Sequence, residues 1–274
     1  MSSYAKTFGL MALLAGMIVA LAGWLGGSQG AVIGLAFAIL LNFGSYWFSD
    51  RIVLRMYRAQ KIDRAQAPEL YAIVDDLRRR AGLPMPTVAI APSEQPNAFA
   101  TGRTPAKAVV CVTRGLLGTV DRDELEGILA HELAHIKNRD MLIGTMAATL
   151  AAAFVMIARF GVFFGGGDRD RGGGLLMFLV APIAAMIVQM AISRVGEYRA
   201  DRIGAGISGK PLALASALRK LEERAKRTPM RVSPSAAHLC IVNPLAGAGQ
   251  AFASLFRTHP PTSERVRRLQ ELAA

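Results

Sequence analysis

The chain has only two cysteines, Cys111 and Cys240, among 274 residues. Neither stands in a zinc-binding or redox spacing, which excludes thiolate zinc fingers and disulfide-exchange motifs. In a reducing compartment a disulfide between them is not expected, and a buried thiol is the expected state of each. Charge is also scarce. Charged residues make up 19% of the chain and hydrophobic residues 52%, a balance that fits a membrane protein with a soluble part better than an ordinary soluble domain. Aromatic residues are few, and no basic run is interleaved with them. The net charge of +12 therefore points to anionic lipid beside a bilayer rather than to nucleic acid. The chain shows no internal repeat and no long low-complexity tract. Histidine is rarer still, with four in the whole chain.

What the chain does have is long apolar runs. Thr7 to Gly26 and Ala31 to Phe48 are each about long enough to span a bilayer. Lys6 and the Ala20-Leu21-Ala22 stretch resemble parts of a signal peptide. A second run follows at once, however, so a retained helical hairpin is expected, turning at Gly27 to Gly30. Arg51, Arg55, Arg58, Lys61 and Arg64 come next and place this end, and with it the N-terminus, in the cytoplasm. Met141 to Phe164 and Leu175 to Ser193 form a second pair of spans around a loop from Gly165 to Gly174. Arg159 lies near the far end of its run, where snorkelling is the expected behaviour. The expected layout is a transmembrane hairpin at 7–48, a soluble part at 49–140, a second hairpin at 141–193 and a soluble part at 194–274. Both termini are then cytoplasmic, in a multi-pass protein.

The soluble parts read as mainly α with a small sheet. Leu70, Ile73, Val74 and Leu77 give helical spacing over Ala67 to Ala81. Thr87 to Ala91 and Ala108 to Thr113 are strands rich in valine and isoleucine. Asp121, with Glu124 three residues on, opens a long helix running to about Asp140. Pro211 to Arg227 and Thr262 to Leu272 are further helices.

The long helix carries His131-Glu132-Leu133-Ala134-His135. Residues four apart share a helical face, so His131 and His135 can hold one zinc ion together. Glu132 beside them can take a proton from an attacking water. Leu129, Leu133 and Ile136 line the opposite, dry face. If the helix runs on unbroken, the metal lies about 7–8 Å of helical rise from the third apolar run. A catalytic zinc site needs a third protein ligand. The second hairpin brings the segment after its return span back to the same membrane face, and Glu197 is the residue placed there. Asp201, one turn on, can accept a hydrogen bond from a ligating histidine.

These residues together resemble the HtpX family of membrane zinc metalloproteases, relatives of the CAAX prenyl endoproteases. The resemblance rests on His131-Glu132-Leu133-Ala134-His135, on Arg194-x-x-Glu197-x-x-Ala200-Asp201 and on Pro96-Asn97-Ala98-Phe99-Ala100-Thr101-Gly102. It extends to the four-span layout, Ile241-Val242-Asn243-Pro244, and Thr258-His259-Pro260-Pro261 with Arg265. It covers nearly the whole chain, and the combined set is far more specific than the zincin motif alone. It implies a zincin-like α+β protease domain on four transmembrane helices of a bacterial-type inner membrane, with one zinc per chain. It implies a quality-control endopeptidase that cleaves misfolded or damaged membrane proteins. His259 and Arg265 are the implied oxyanion donors. Asn97, Ala98, Phe99, Ala100, Thr101 and Gly102 are the implied substrate edge, where an extended peptide adds as a strand. His238 receives no role. The competing reading, a non-catalytic adaptor on a zinc fold, leaves an intact Glu132 without a purpose.

Overall fold

The computed structural model describes residues 3–143, 194–227, 240–241 and 260–274. The third expected span beyond Ile143, the fourth expected span, Arg159, His238 and His259 lie outside the described residues, as do Val242 to Pro244 and Thr258.

Helix α1 spans Ser3–Trp47 and is broken at Gly26 and Gly27, where Gly27 has φ 60°. The chain doubles back there. Asn42 Nδ2 donates to the Met11 carbonyl at 3.3 Å, and Ala31 packs on Gly23 across the turn. The turn is thus tighter than the expected Gly27 to Gly30, because a positive φ at one glycine suffices to reverse the chain. Among the described residues, Gly26–Trp47 is the one helix long and apolar enough to cross a membrane. Helix α2 (Ser49–Met56) follows and leads into the short strand β1 (Gln60–Lys61).

Helix α3 (Pro68–Ala81) has proline in its first turn and a left-handed Gly82 at its end, as the start and stop residues dictate. Strands β2 (Thr87–Ala91), β3 (Ala98–Thr101) and β4 (Val109–Thr113) complete a sheet of order β1-β2-β4-β3. β2 and β4 are parallel, while β1 and β3 pair antiparallel with their neighbours. Two elements expected as strands, at 87–91 and 108–113, are found with a one-residue change at one end.

A short helix α4 (Arg114–Leu117) precedes α5 (Arg122–Asn138). Asp121 and Glu124 form a complete capping box at the start of α5. Glu124 also accepts from Lys220 and Ser216, tying α5 to helix α7 (Pro211–Arg227). Helices α6 (Arg194–Ser208) and α8 (Thr262–Glu271) complete the described residues. Leu77 of α3, Leu129 and Leu133 of α5 and Leu218 of α7 meet in one core, whose helical spacing was set by the sequence.

Both cysteines are buried free thiols. Burial pushes each thiol up to about 12, so neither is a thiolate at neutral pH.

Candidate metal centre

The centre is built where α5 crosses α6. His131 and Glu132 are buried and His135 half-buried on one stretch of α5, while Glu197 and Asp201 are buried on α6. Glu197, Asp201 and Gly204 fall at i, i+4 and i+7 and so form one stripe of α6. Gly204 explains how close the two helices come: a Cβ there would lie 2.8 Å from the His131 backbone nitrogen and 2.9 Å from its Cα. The missing side chain lets the stripe press against the histidines. Gly204→Ala is therefore expected to push α6 off α5, costing about 1–3 kcal/mol of stability and weakening metal binding at least tenfold. Metal titration of the purified variant checks this, and unchanged affinity would remove Gly204 from the account.

Three donor groups converge. His131 Nε2 and His135 Nε2 are 3.1 Å apart. Glu197 Oε2 lies 3.9 Å from the first, and Glu197 Oε1 lies 3.5 Å from the second. Donors around a tetrahedral ion with bonds near 2.1 Å are separated by about 3.4 Å, so the set fits zinc. The outer nitrogens support the same conclusion. His131 Nδ1 is 2.9 Å from Asp201 Oδ1 and His135 Nδ1 is 3.1 Å from Asp140 Oδ1. A carboxylate only accepts, so each Nδ1 carries its proton. Both Nε2 lone pairs then point at each other and at a carboxylate, an arrangement that calls for a cation.

Charge gives the same result. Glu132, Glu197 and Asp201 are buried carboxylates, and Arg265 is the buried cation beside them. Three negative charges against one leave −2, which a dication neutralises. Without a metal the cluster holds protons instead. Burial raises the Glu132 pKa, against the pull of His131 and His135. Burial pulls His135 down, but Asp140, Glu197 and Glu132 together outweigh it and hold the imidazole up at about 10.

Two features differ from expectation. The long helix does not run on into the third apolar run. Arg139 takes a left-handed conformation (φ 58°) and ends α5 at Asn138. The Asp140 N–H then donates to the His135 carbonyl at 3.3 Å, and its side chain swings onto His135. Asp140 was not singled out in the sequence, although it is the one carboxylate between the motif and the apolar run. The second difference is Arg265. Its guanidinium is 1% exposed and forks onto Asp201, with Nε–Oδ2 at 2.8 Å and Nη2–Oδ1 at 2.6 Å. Its Nη1 donates to the Ile241 carbonyl at 3.1 Å. Those donors are committed behind His131, so the geometry suits holding Asp201 rather than receiving an oxyanion.

The implied substrate stretch is also more enclosed than an open edge. β3 is the last strand of the sheet, yet Ala98, Phe99, Ala100 and Thr101 are all buried. The Ala100 N–H donates to the Glu132 carboxylate. Asn97 Oδ1 accepts from the Ile241 N–H at 3.1 Å. Gly102 turns the chain away after β3 with φ 121°. Asn97, Ile241, Arg265, Asp201 and His131 thus form one hydrogen-bonded chain from the edge strand to a metal-facing imidazole.

Comparison with known proteins agrees with this geometry. The family model described as Peptidase family M48 matches residues 64–273. A Protease HtpX homolog of Gemmatimonas aurantiaca is 56% identical, covering 98% of this chain and 99% of that protein. One from Salinibacter ruber is 56% identical over 98% of each, and one from Thermococcus kodakarensis is 53% identical over 98% of this chain and 95% of that protein. The crystal structure of S. mikatae Ste24p superposes with a TM-score of 0.54 at 19% identity, covering 96% of this chain and 64% of that one. At that identity the likeness speaks to the fold, a mainly helical α+β metalloprotease fold with a small sheet. By near-full-length identity and by family match, this chain is a membrane metalloprotease that belongs to peptidase family M48, among the HtpX proteases.

Proposed function

We propose that the chain is a zinc-dependent endopeptidase that cleaves misfolded or damaged polypeptides, membrane proteins among them, at the cytoplasmic face of the bilayer. The convergence of His131 Nε2, His135 Nε2 and the Glu197 carboxylate at tetrahedral spacing carries the reading. Zinc, when bound there, supplies a Lewis acid that lowers the pKa of water and polarises the scissile carbonyl.

The chain's own residues do the rest. Glu132 takes the proton of the attacking water and delivers it to the leaving amine. Asp201 and Asp140 fix the tautomers of His131 and His135, so both Nε2 atoms stay free to ligate. Arg265 positions Asp201. His259 is left as the proposed oxyanion donor. An extended polypeptide pairs along Asn97 to Gly102 by main-chain hydrogen bonds, which tolerate varied sequence. Because β3 is buried in this conformation, that edge has to be uncovered before a peptide pairs with it. The layout proposed is four spans, 7–26, 31–48, 141–164 and 175–193, with the protease parts 49–140 and 194–274 and both termini in the cytoplasm.

The test is metal content and cleavage together. Detergent-purified protein is expected to bind about one zinc per chain and to cleave casein. Chelation should abolish both, and added zinc should restore both. At pH 8 uptake should release at least one proton, because a His135 held up at about 10 is protonated before the metal arrives. Calorimetry in two buffers of different ionisation enthalpy reads this. Protein that takes up no zinc would sink the reading.

A further inference from the structure

The edge strand beside Glu132 is tied at its other end to the membrane helix. Arg103, two residues beyond β3, lays its guanidinium over the Trp47 ring at 4.1 Å. It also donates to the Trp47 carbonyl at 3.3 Å. Trp47 is the last residue of the bilayer-length helix and stacks on Phe43. Arg51, one turn into α2, sits over the Phe48 ring at 5.5 Å. Trp47 and Phe48 are both exposed. Among the described residues no carboxylate pairs with either arginine, and Asp50, the one acid of α2, makes no ion pair.

A guanidinium has five N–H donors, so one held over an aromatic ring, as Arg103 is with one donor on the Trp47 carbonyl, still offers others to phosphate oxygens. Tryptophan at a span's end sits at headgroup depth. We propose that Trp47, Phe48, Arg51 and Arg103 form a headgroup site for anionic phospholipid, and that its occupancy steadies β3 against Glu132. The first half rests on this geometry and on Gly26–Trp47 crossing the bilayer; the second rests also on the protease reading. The coupling path is short. Arg103 is held by the lipid phosphate and the Trp47 ring, and Ala100, three residues back, donates to Glu132.

Trp24→Phe leaves Trp47 as the sole tryptophan, since the chain has two. Zinc-loaded full-length protein in nanodiscs is then titrated with dibrominated phosphatidylglycerol or dibrominated phosphatidylcholine, and Trp47 fluorescence is read. The anionic lipid should quench at a lower mole fraction. Arg103→Gln should reduce that preference about fivefold, and Arg51→Gln with Arg103→Gln should erase it. Arg103→Lys should keep part of it. Equal quenching by both lipids, no quenching by either, or a preference that survives the double change overturns the site.

The second arm measures casein cleavage in the two bilayers. The ratio of kcat/KM in phosphatidylglycerol to that in phosphatidylcholine should be severalfold for the parent chain and near one for Arg103→Gln. A ratio near one for both, with the quenching preference intact, overturns the coupling and leaves the site. Absence of cleavage in either bilayer counts against the protease reading, while the quenching arm still decides the lipid site.

Discussion

Glu132→Gln is expected to lower kcat for polypeptide cleavage by about 10³-fold or more, with zinc content unchanged. Glutamine keeps the size of the side chain and an oxygen that still accepts the Ala100 N–H. What it loses is basicity. Glu132 lies outside the donor triangle of His131, His135 and Glu197, so its loss removes no ligand atom and the three donors should still hold the ion. The variant therefore separates proton transfer from site assembly, which His135→Ala would confound. The pH profile carries a second sign. A base must be ionised to work, and burial raises the Glu132 pKa, so activity should fall as pH drops through that raised value. Cleavage by Glu132→Gln within tenfold of the parent chain, at equal zinc content, would refute the assigned base.

The second large effect is expected from Arg265→Ala. It should destabilise the protein by about 3–5 kcal/mol, the usual cost of leaving a buried ion pair half empty, and strip most of the zinc. Arg265 is the buried cation facing Asp201 and Glu197, and truncation leaves their charges uncompensated. Burial alone would raise the Asp201 pKa, but the Arg265 charge and hydrogen bonds, helped by His131, hold it well below the usual carboxylate range. A depressed folded pKa contributes stability above the unfolded value of about 3.9 and loses it as pH falls through the folded one. Without Arg265 that protection goes, so zinc should be lost at a higher pH than in the parent chain. Arg265→Lys keeps the charge without the two-pronged fit and should fall between. Arg265→Met combined with Asp201→Asn removes both charges and should recover part of the stability. Thermal midpoints and zinc content against pH measure all four proteins. A cost below about 1 kcal/mol for Arg265→Ala would mean that the pair is not buried as described.

Much of this was readable in the chain because it is local. The Asp121 and Glu124 spacing encodes a capping box, and a capping box forms from neighbours within one turn. Valine-rich runs encode β2 and β4. Leu129, Leu133 and Ile136 mark a dry face whatever packs against it. The motif itself places His131 and His135 one turn apart with Glu132 beside them, since helix geometry alone fixes that spacing. Residue chemistry then points to a metal ion, proposed to be zinc.

The rest depended on contacts that no local pattern encodes. Asp140 reaches His135 only because Arg139 adopts a left-handed turn, a conformation that L-residues seldom take and sequence does not announce. Arg265 and Asp201 are 64 residues apart, and only the packing of α8 against α6 joins them into a fork. Gly204 looks like an ordinary weak point in a helix until α5 is laid across it. The enclosure of β3 likewise required the third dimension: pairing makes it an edge strand, but α5 and its Glu132 lie against it. The sequence by itself determined which atoms can ligate and which can carry a proton, because those are properties of side chains and helical spacing. The tertiary structure alone decided which partners hold them in place, because burial and crossing helices set the charges each group must face.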